Sequence, residues 1–258
     1  MTSTTALRSG RGEERTNNSA VAVERAADVL LALSEDMEMS LTELADAVGC
    51  GLNAAHRILV ALTRKGLIAQ RANSNLYHLG PQASRLANAW SDHRRIAELS
   101  LPTMVDLRNA TLESVALSVR VGTERIVVQH VESEQEITWR VKTGRLGPLY
   151  AGAPGFVFLA EFGSLELKRY FDSMSSLGPS EIEEIRAKLD KVRAEGWALS
   201  IESPTIGAVA LSVPVRDASG ICLAALSVVV PRQRWADPRL EEILSPLQSA
   251  SQGLTPLL

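Results

Sequence analysis

The sequence has 258 residues, of which 45% are hydrophobic, 22% charged and only 4% aromatic. These proportions are typical of a globular protein of one or two domains with aliphatic cores. With 27 Lys and Arg against 30 Asp and Glu, the formal net charge is −3, so the chain as a whole is slightly acidic.

The cysteine pattern and the hydropathy exclude several classes of protein. Cys50 and Cys222 are far apart and have no CxxC or Cys/His partner, which excludes a zinc site and a disulfide framework. No apolar run reaches the ~18 residues of a membrane span. Residues 1–18 are polar and lack the apolar segment of a signal peptide, and we predict that they form a disordered tail. We therefore expect a cytoplasmic protein without a metal, a cofactor or a membrane partner.

The stretch from Ala47 to Ser91 contains no carboxylate, although it carries five Lys or Arg residues and two His. A basic segment in an acidic chain is typical of a surface that binds a polyanion, most often DNA. A solvated basic face produced by chance clustering of charges is the alternative. The structural elements predicted within the stretch decide between the two.

Two helices are predicted before and at the start of this stretch. Residues 20–34 have apolar side chains at helical spacing, with Asn18 or Ser19 as the N-cap. The sequence Ser40-Leu41-Thr42-Glu43 is a capping box, because the hydroxyl of Ser40 and the carboxylate of Glu43 can each bind the other residue's amide. The short helix that it begins ends at Gly49-Cys50-Gly51, where glycine tolerates a left-handed backbone.

A third helix is predicted to begin with Asn53 as its N-cap and to end at Gly66. Its buried stripe consists of Ala55, Ile58, Leu59 and Leu62, and its opposite face carries Asn53, His56, Arg57, Val60 and Arg64. Residues 67–71 and 76–79 flank the turn formers 72–75, which predicts a β-hairpin. Two helices joined by a glycine turn and followed by a hairpin are typical of a winged helix-turn-helix DNA-binding domain, placed here at residues 19–80.

The remainder of the chain predicts a linker helix at residues 81–97 and an α+β domain at residues 98–258. A helix that packs on its own domain is the alternative for the linker. Pro102 is expected to open the first helix of the second domain. Strands are predicted at 114–121 (half-buried), 125–131, 137–141, 208–215 and 221–230, and helices at 152–160, 165–171, 180–194 with Ser180 as N-cap, and 238–252. Strand pairs with short turns and intervening helices indicate an antiparallel sheet.

These elements together resemble the IclR family of bacterial transcriptional regulators. The resemblance rests on Val23-Glu24-Arg25-Ala26, Leu41-Thr42-Glu43-Leu44-Ala45, the segment LNAAHRILVAL from Leu52 to Leu62, and Tyr77-His78-Leu79-Gly80. It covers nearly everything after residue 19, and residues 189–214 carry it in the second domain. It implies an α+β protein in which a winged helix-turn-helix domain is joined by a linker helix to a GAF-like effector-binding domain with a central antiparallel sheet.

The resemblance also implies that the third helix and the wing bind a double-stranded DNA operator. The DNA-binding residues that we expect are Asn53, Ala54, His56, Arg57, Arg64 and Arg71. The family usually begins this helix with Ser or Thr, where this chain has Ala54 and Ala55. Because those hydroxyl contacts are lost, Asn53, His56, Arg57 and the wing are expected to carry more of the binding.

The loop from Thr143 to Phe158 is rich in Gly and Pro and precedes a predicted helix, where backbone amides can bind a carboxylate. In the family this loop borders an effector pocket, and here Phe156 replaces a usual Lys while Pro154 lacks an amide hydrogen. The effector-binding residues implied are Ala153, Pro154, Phe156, Ser200, Ala210, Ser227 and Val229. Two hydroxyls among apolar side chains indicate a small aromatic or short hydrophobic acid. Whether His130 or Arg140 contacts it is left open.

Two other functions compete with a ligand-responsive regulator. An enzyme is not expected, because the sequence contains no GxSxG, Walker A, HExxH or GxGxxG motif and no motif groups Glu202, Asp217 and His130. A DNA-binding protein without a ligand would leave the large α+β domain without a role. We therefore expect a homodimeric or homotetrameric regulator, with repression the more common sign for such a resemblance.

Overall fold

The computed structural model describes residues 9–72, 74–88 and 91–258, and it gives the side-chain surroundings of residues 20–72, 74–87 and 93–258. The chain divides into two compact units between Ser91 and Asp92, and each unit is described by itself. Across the described ranges, no helix is both long enough and apolar enough to cross a membrane.

The first unit is a winged helix-turn-helix, as predicted. Its elements are the helices α1 (Ser9–Glu35), α2 (Leu41–Ala47), α3 (Leu52–Arg64) and α4 (Pro81–Asn88), and the strands β1 (Met39–Ser40), β2 (Ile68–Gln70) and β3 (Leu76–Leu79). The strands form an antiparallel sheet in the order β1-β3-β2. Helices and sheet enclose a core of Val29, Leu33, Leu44, Leu59, Leu62 and Ile68. Burying each of these side chains contributes roughly 1.5–3 kcal/mol.

The capping box at the start of α2 is confirmed. The amide of Ser40 donates to the Glu43 carboxylate at 2.7 Å, and the amide of Glu43 donates to the Ser40 hydroxyl at 3.3 Å. The hydrogen bonds from Ser40, that of its backbone amide first, hold the pKa of the Glu43 carboxyl below its usual value. The turn after α2 uses Gly49, whose φ of +61° favours glycine.

Two helix starts in this unit differ from the prediction. Helix α1 begins at Ser9, so the N-cap at Asn18 or Ser19 was wrong, and the predicted disorder was wrong for residues 9–18, while residues 1–8 lie outside the described part. Extending a formed helix costs little because each added residue gains a hydrogen bond. Helix α3 has Gly51, not Asn53, as its N-cap. The carbonyl of Gly51 accepts from the amides of Ala54 and Ala55, which closes the first turn earlier than predicted.

The second unit is the predicted α+β domain with a central antiparallel sheet. Its helices are α5 (Ser91–Thr111), which begins at the boundary, α6 (Ala153–Ala160), α7 (Ser164–Asp172), α8 (Pro179–Glu195) and α9 (Arg239–Leu254). Its strands are β4 (Ser114–Val121), β5 (Glu124–Val131), β6 (Leu146–Pro148), β7 (Ala198–Ile201), β8 (Ala208–Arg216) and β9 (Cys222–Pro231). All neighbours pair antiparallel, in the order β6-β5-β4-β9-β8-β7.

The two faces of this sheet carry side chains of different size. On one face, large aliphatic residues such as Leu117, Leu211 and Leu226 pack in a core with residues of α5 and α9. On the other face, smaller residues lie beneath α6, and α7 and α8 complete a second apolar cluster there. Successive residues of a strand point to opposite faces, so the same strands build both surfaces.

A buried carboxylate fastens the end of the sheet to α9. Glu113 is 1% exposed and directly precedes β4. It accepts hydrogen bonds from the guanidinium groups of Arg234, which follows β9, and Arg239, which begins α9, with the Arg239 Nη1 to Glu113 Oε1 distance at 2.9 Å. Glu113 raises the pKa of Arg234 above its usual value. The three side chains therefore hold chain segments together that are distant in sequence.

The predicted strand at residues 137–141 is absent, and this prediction was wrong. The alternation of Ile137, Trp139 and Val141 is present, but Ile137 is 60% exposed, while Trp139 and Val141 line a cavity. Strand β5 pairs instead with the short β6. Strand β7, which was not predicted, forms the opposite edge of the sheet beside β8. The four residues of β7, Ala-Leu-Ser-Ile, do not alternate strictly between apolar and polar side chains, which is the pattern that predicts a strand.

Two helix boundaries in the second unit were also wrong. Pro102 does not open a helix but lies inside α5, where Pro102 and Glu98 are both exposed. The proline leaves the Glu98 carbonyl without its helical donor, and that position faces solvent. The predicted domain boundary between residues 97 and 98 consequently falls within α5. Helix α8 has Gly178 rather than Ser180 as its N-cap, because Pro179 suits the first helical position.

Candidate DNA-binding and ligand-binding sites

Helix α3 presents an exposed face without an acidic side chain. Of the predicted DNA-binding residues on it, Asn53, His56, Arg57 and Arg64 are exposed and Ala54 is half-buried. The spacing of a helix places Asn53, Arg57 and Arg64 opposite the buried stripe, which consists of Ala55, Leu59 and Leu62. Ile58, which was predicted in that stripe, is only partly buried. Guanidinium groups on such a face can bind phosphates or guanine edges in a major groove.

Arg71, which follows strand β2 in the wing, is exposed but already holds a partner. Its guanidinium Nη1 lies 2.8 Å from a carboxylate oxygen of Glu38, just before β1. Pairing of β1 with β3 brings this acid beside the wing. An exposed ion pair contributes only about 0–1 kcal/mol, so a DNA phosphate can displace Glu38 at small cost. Arg71 therefore stays a predicted DNA contact, in competition with Glu38.

The second unit contains a cavity of about 300 Å³. Its floor is the small-residue face of the sheet, and its walls are the start of α6, the residues around β6 and the loop that follows β7. This volume lies at the lower end of the range for small-molecule pockets, roughly 300–1,000 Å³. The cavity can therefore hold a molecule with a few ring or chain atoms.

Small side chains on alternate positions of the strands create this space. On β4, Ala116 and Ser118 are 4% and 1% exposed, whereas Val115 and Leu117 point to the opposite face. The same alternation places Ala208 and Ala210 on β8 and Ser227 on β9 along the cavity. The prediction of a half-buried strand at 114–121 was wrong at these positions. The alternation of small and large residues marks a strand buried on both sides, with space over one of them.

Five of the seven predicted effector-binding residues line the cavity: Pro154, Ser200, Ala210, Ser227 and Val229. Ala153 and Phe156 are not among the lining residues, and effector contact by these two stays a prediction. Both are buried in the apolar cluster that α6 forms with α7 and α8. The Phe156 ring there lies 5.9 Å from the Nζ of Lys188 on α8. Helical rotation explains the difference, because Pro154 faces the cavity while Ala153 and Phe156 point into the apolar cluster.

The remaining candidates near the loop have partners elsewhere. The Nδ1 of His130 lies 3.2 Å from the Thr143 hydroxyl, and the Nε of Arg140 donates to Glu132 at 2.7 Å. Neither residue belongs to the cavity wall. Among the predicted hydroxyls, that of Ser227 is 2.7 Å from the hydroxyl of Ser212. Ser227 can therefore offer a ligand one further hydrogen bond.

Two arginines in the cavity wall were missed by the sequence analysis. Arg125 on β5 and Arg145 just before β6 both line the cavity, together with Trp139 and Val141. The wall includes no Asp, Glu or His. Burial, followed by repulsion from Arg145, lowers the pKa of Arg125 to about 10, so the guanidinium stays charged at neutral pH. The cavity is thus positive, with largely apolar and small neutral side chains around the charge.

This wall is suited to binding an anion rather than to catalysis. General acid–base chemistry needs a group that titrates near the working pH, and the wall offers arginines, serines and one threonine as its polar side chains. In the described ranges, no cluster of three or more His, Cys, Asp and Glu side chains could hold a metal ion.

Two family models match the chain in the order of the two units. The IclR helix-turn-helix domain matches residues 22–72, and the C-terminal domain of the bacterial transcriptional regulator IclR matches residues 89–255. The first match contains α2, α3 and β2, and the second contains the six-stranded sheet and its cavity.

Individual relatives extend this similarity over most of the chain. The HTH-type transcriptional regulator BhcR of Paracoccus denitrificans is 27% identical over 242 residues, which cover 91% of this chain and 86% of that protein. The regulator KdgR of Escherichia coli is 26% identical over 232 residues, 88% of each chain. The structure of an IclR homologue from Microbacterium hydrocarbonoxydans, solved with 4-hydroxybenzoate, has a TM-score of 0.73 at 21% identity, covering 91% of this chain and 98% of that one. The chain is therefore a transcriptional regulator, not an enzyme, and belongs to the IclR family.

Proposed function

We propose that this protein is a ligand-responsive regulator that binds a double-stranded DNA operator as a homodimer or homotetramer and represses transcription there. Its effector is a small organic acid with an aromatic or otherwise hydrophobic body, bound in the cavity of the second unit. Effector binding shifts a conformational equilibrium that sets the spacing of the winged helices within the oligomer.

The composition of the cavity wall is the observation that carries this proposal. Arginine side chains supply positive charge without an acid beside them, and Trp139, Val127 and Val229 supply apolar surface. A few polar groups in an apolar pocket are typical of small-molecule sites. The 4-hydroxybenzoate bound by the Microbacterium hydrocarbonoxydans homologue supports the same class of ligand, an aromatic acid.

The DNA-binding part of the proposal depends on the exposed face of α3. An operator can be selected from a random-sequence duplex library with the full-length protein, and its affinity measured by fluorescence anisotropy. Arg57→Ala should weaken binding by about 1–3 kcal/mol if Arg57 contacts a base. Arg140→Ala is the matched control, since Arg140 is exposed, paired with Glu132 and located in the second unit. Unchanged affinity in Arg57→Ala would remove Arg57 from the contacting residues.

Exposed apolar side chains of the first unit support an interface between copies of the chain. Val23 and Leu31 on α1 are 68% and 62% exposed, and Leu86 on α4 is 63% exposed. Apolar side chains that form a contiguous exposed patch mark interaction surfaces, and a palindromic operator requires two recognition helices. Sedimentation equilibrium should give a dimer or tetramer, and a monomer at micromolar concentration would contradict this part of the proposal.

Ligand response and its sign need separate measurements. Titrating aromatic acids, with 4-hydroxybenzoate first, into the operator complex should change its affinity. DNA binding that no acid changes would favour the alternative, a ligand-independent DNA-binding protein. A promoter-reporter fusion carrying the selected operator should be silenced by the protein, and activation would overturn repression alone.

A further inference from the structure

Arg125 has its guanidinium in the cavity wall, near the start of strand β5. Its Nε is buried and has no hydrogen-bond partner within the part of the chain that the structure describes. No carboxylate of the described residues forms an ion pair with it. An arginine has five N–H donors, and leaving buried donors unsatisfied is costly. The structure therefore contains a partly buried cation that no carboxylate of the described residues neutralises.

The surroundings of this guanidinium are shaped to hold it in place. A methyl group on Gly147 would lie 3.2 Å from the Arg125 Nη2, and one on Gly152 would lie 3.3 Å from it. The guanidinium thus packs against two stretches of backbone that have no side chain. Gly152 is also the N-cap of α6, where the helix dipole adds partial positive charge. The walls position Arg125 but do not neutralise it.

We propose that Arg125 is the anchor for the carboxylate of the effector, and that the effector is a monocarboxylate whose apolar body lies against Trp139 and Val141. This inference rests on the proposed function of the cavity as the effector site. A guanidinium binds one carboxylate through two parallel hydrogen bonds. Arg145, the other cation of the wall, is exposed and therefore screened by salt. The residues that line the cavity include no cation besides these two, so the wall matches one anionic group at Arg125 and offers no second partly buried cation for another.

A bromide soak tests the anion site without knowledge of the effector. Crystals of full-length wild type, Arg125→Met and Arg140→Met are soaked in sodium bromide, and anomalous scattering locates the ion. We expect bromide at the guanidinium of Arg125 in wild type and in the Arg140→Met control, and none at this position in Arg125→Met. Wild-type crystals that bind bromide elsewhere but not at Arg125 would overturn the proposal.

Matched acids and amides test the chemical class of the ligand. Benzoate, 4-hydroxybenzoate, phenylacetate and hexanoate are compared with their primary amides by thermal unfolding and calorimetry. At least one acid should raise the Tm of wild type where its amide does not. Arg125→Met should lower the affinity for that acid by about tenfold or more, because a bidentate charge-assisted pair is lost. Arg125→Lys keeps the positive charge but cannot form two parallel hydrogen bonds, so its affinity for the acid should fall less than that of Arg125→Met.

Two further variants make this comparison specific. Arg145→Met should lower the affinity less than Arg125→Met, because Arg145 is exposed, and Arg140→Met should leave it unchanged. Amides that bind as well as their acids, or a failure of all four acids to bind wild type, would overturn the monocarboxylate assignment. Phenyl phosphate is included, and binding of it in preference to benzoate would overturn the assignment in the same way.

Operator binding separates this proposal from the proposed function. Operator affinity is measured for wild type and for Arg125→Met with and without the acid, and the change that the acid causes is compared within each protein. If an acid changes operator affinity equally in wild type and Arg125→Met, the ligand-responsive regulator stands and the anchor is refuted. If acids bind at Arg125 without changing operator affinity, the anchor stands and the ligand response is refuted.

Discussion

Filling the cavity from strand β4 tests whether the space above the small-residue face is open. Ala116→Leu adds three carbon atoms to a side chain that is 4% exposed and lines a cavity of about 300 Å³. If these carbons enter free space, their burial contributes roughly 0.8 kcal/mol each, about 2.4 kcal/mol in total. Urea unfolding, followed by the fluorescence of Trp139, Trp197 and Trp235 in the second unit, should show equal or higher stability. Affinity for the acid should fall at least about tenfold, because the new side chain occupies its space.

Ala225→Leu on β9 is the matched control. Ala225 is 0% exposed and lies on the same face of the sheet, but it packs in the apolar cluster beneath α6. The same three carbons have no space there, and overpacking costs about 1–3 kcal/mol. The free energies of unfolding of the two variants should therefore move in opposite directions or differ clearly. If Ala116→Leu loses as much stability as Ala225→Leu, the cavity is closed in solution and the reasoning is refuted.

Three further outcomes follow from side-chain pairs and burial. Glu38→Gln should release Arg71 and strengthen operator binding at low salt by about 0.2–1 kcal/mol, as measured by fluorescence anisotropy. Equal or weaker binding would remove Arg71 from the DNA contacts. Glu113→Gln should destabilise the second unit by about 3 kcal/mol. This is the low end of the range for breaking a buried ion pair, because both guanidinium partners are partly exposed. An unchanged midpoint of urea unfolding would contradict it. Burial raises the pKa of Cys222 to about 12, and only the thiolate reacts with iodoacetamide. At about pH 8 the reagent should therefore modify Cys222 in denatured but not in folded protein, as measured by peptide mass spectrometry. Rapid modification of the folded protein would contradict this prediction.

The helix-turn-helix could be predicted because its determinants are local in sequence. The pair Ser40 and Glu43 and the turn at Gly49 set the ends of α2 within a few residues of each other. The wrong predictions include an element whose place in the fold depends on residues distant in sequence. Residues 137–141 alternate like a strand, but the edge of β5 is occupied by β6, and nothing in the alternation indicates which segment pairs there. Helix α1 likewise begins at Ser9, in a segment without apolar periodicity.

Some residues of the candidate site could likewise be predicted from the sequence, and others could not. Residues such as Ser200 and Val229 could be assigned to the pocket through the family resemblance, and they line the cavity. Arg125 could not, because its neighbours in sequence do not include the glycines, Gly147 and Gly152, that surround its guanidinium. The alternation of small and large residues on β4 is compatible with this space, but the same pattern is typical of a strand with one face in solvent. Only the covering of the sheet by α6 shows that both faces are buried.

The acid-free stretch from residue 47 to 91 shows the limit of counting charges along a sequence. The fold brings Glu38, from outside the stretch, to 2.8 Å from Arg71, so one of its cations is already paired. In the described part of the chain, Arg57 and Arg64 have no such partner, and both lie on the outward face of α3. Phosphate binding releases counter-ions for each free cation that it engages, whereas Arg71 must first leave Glu38. We therefore expect DNA binding to depend first on α3, and on the wing only after Arg71 exchanges Glu38 for a phosphate.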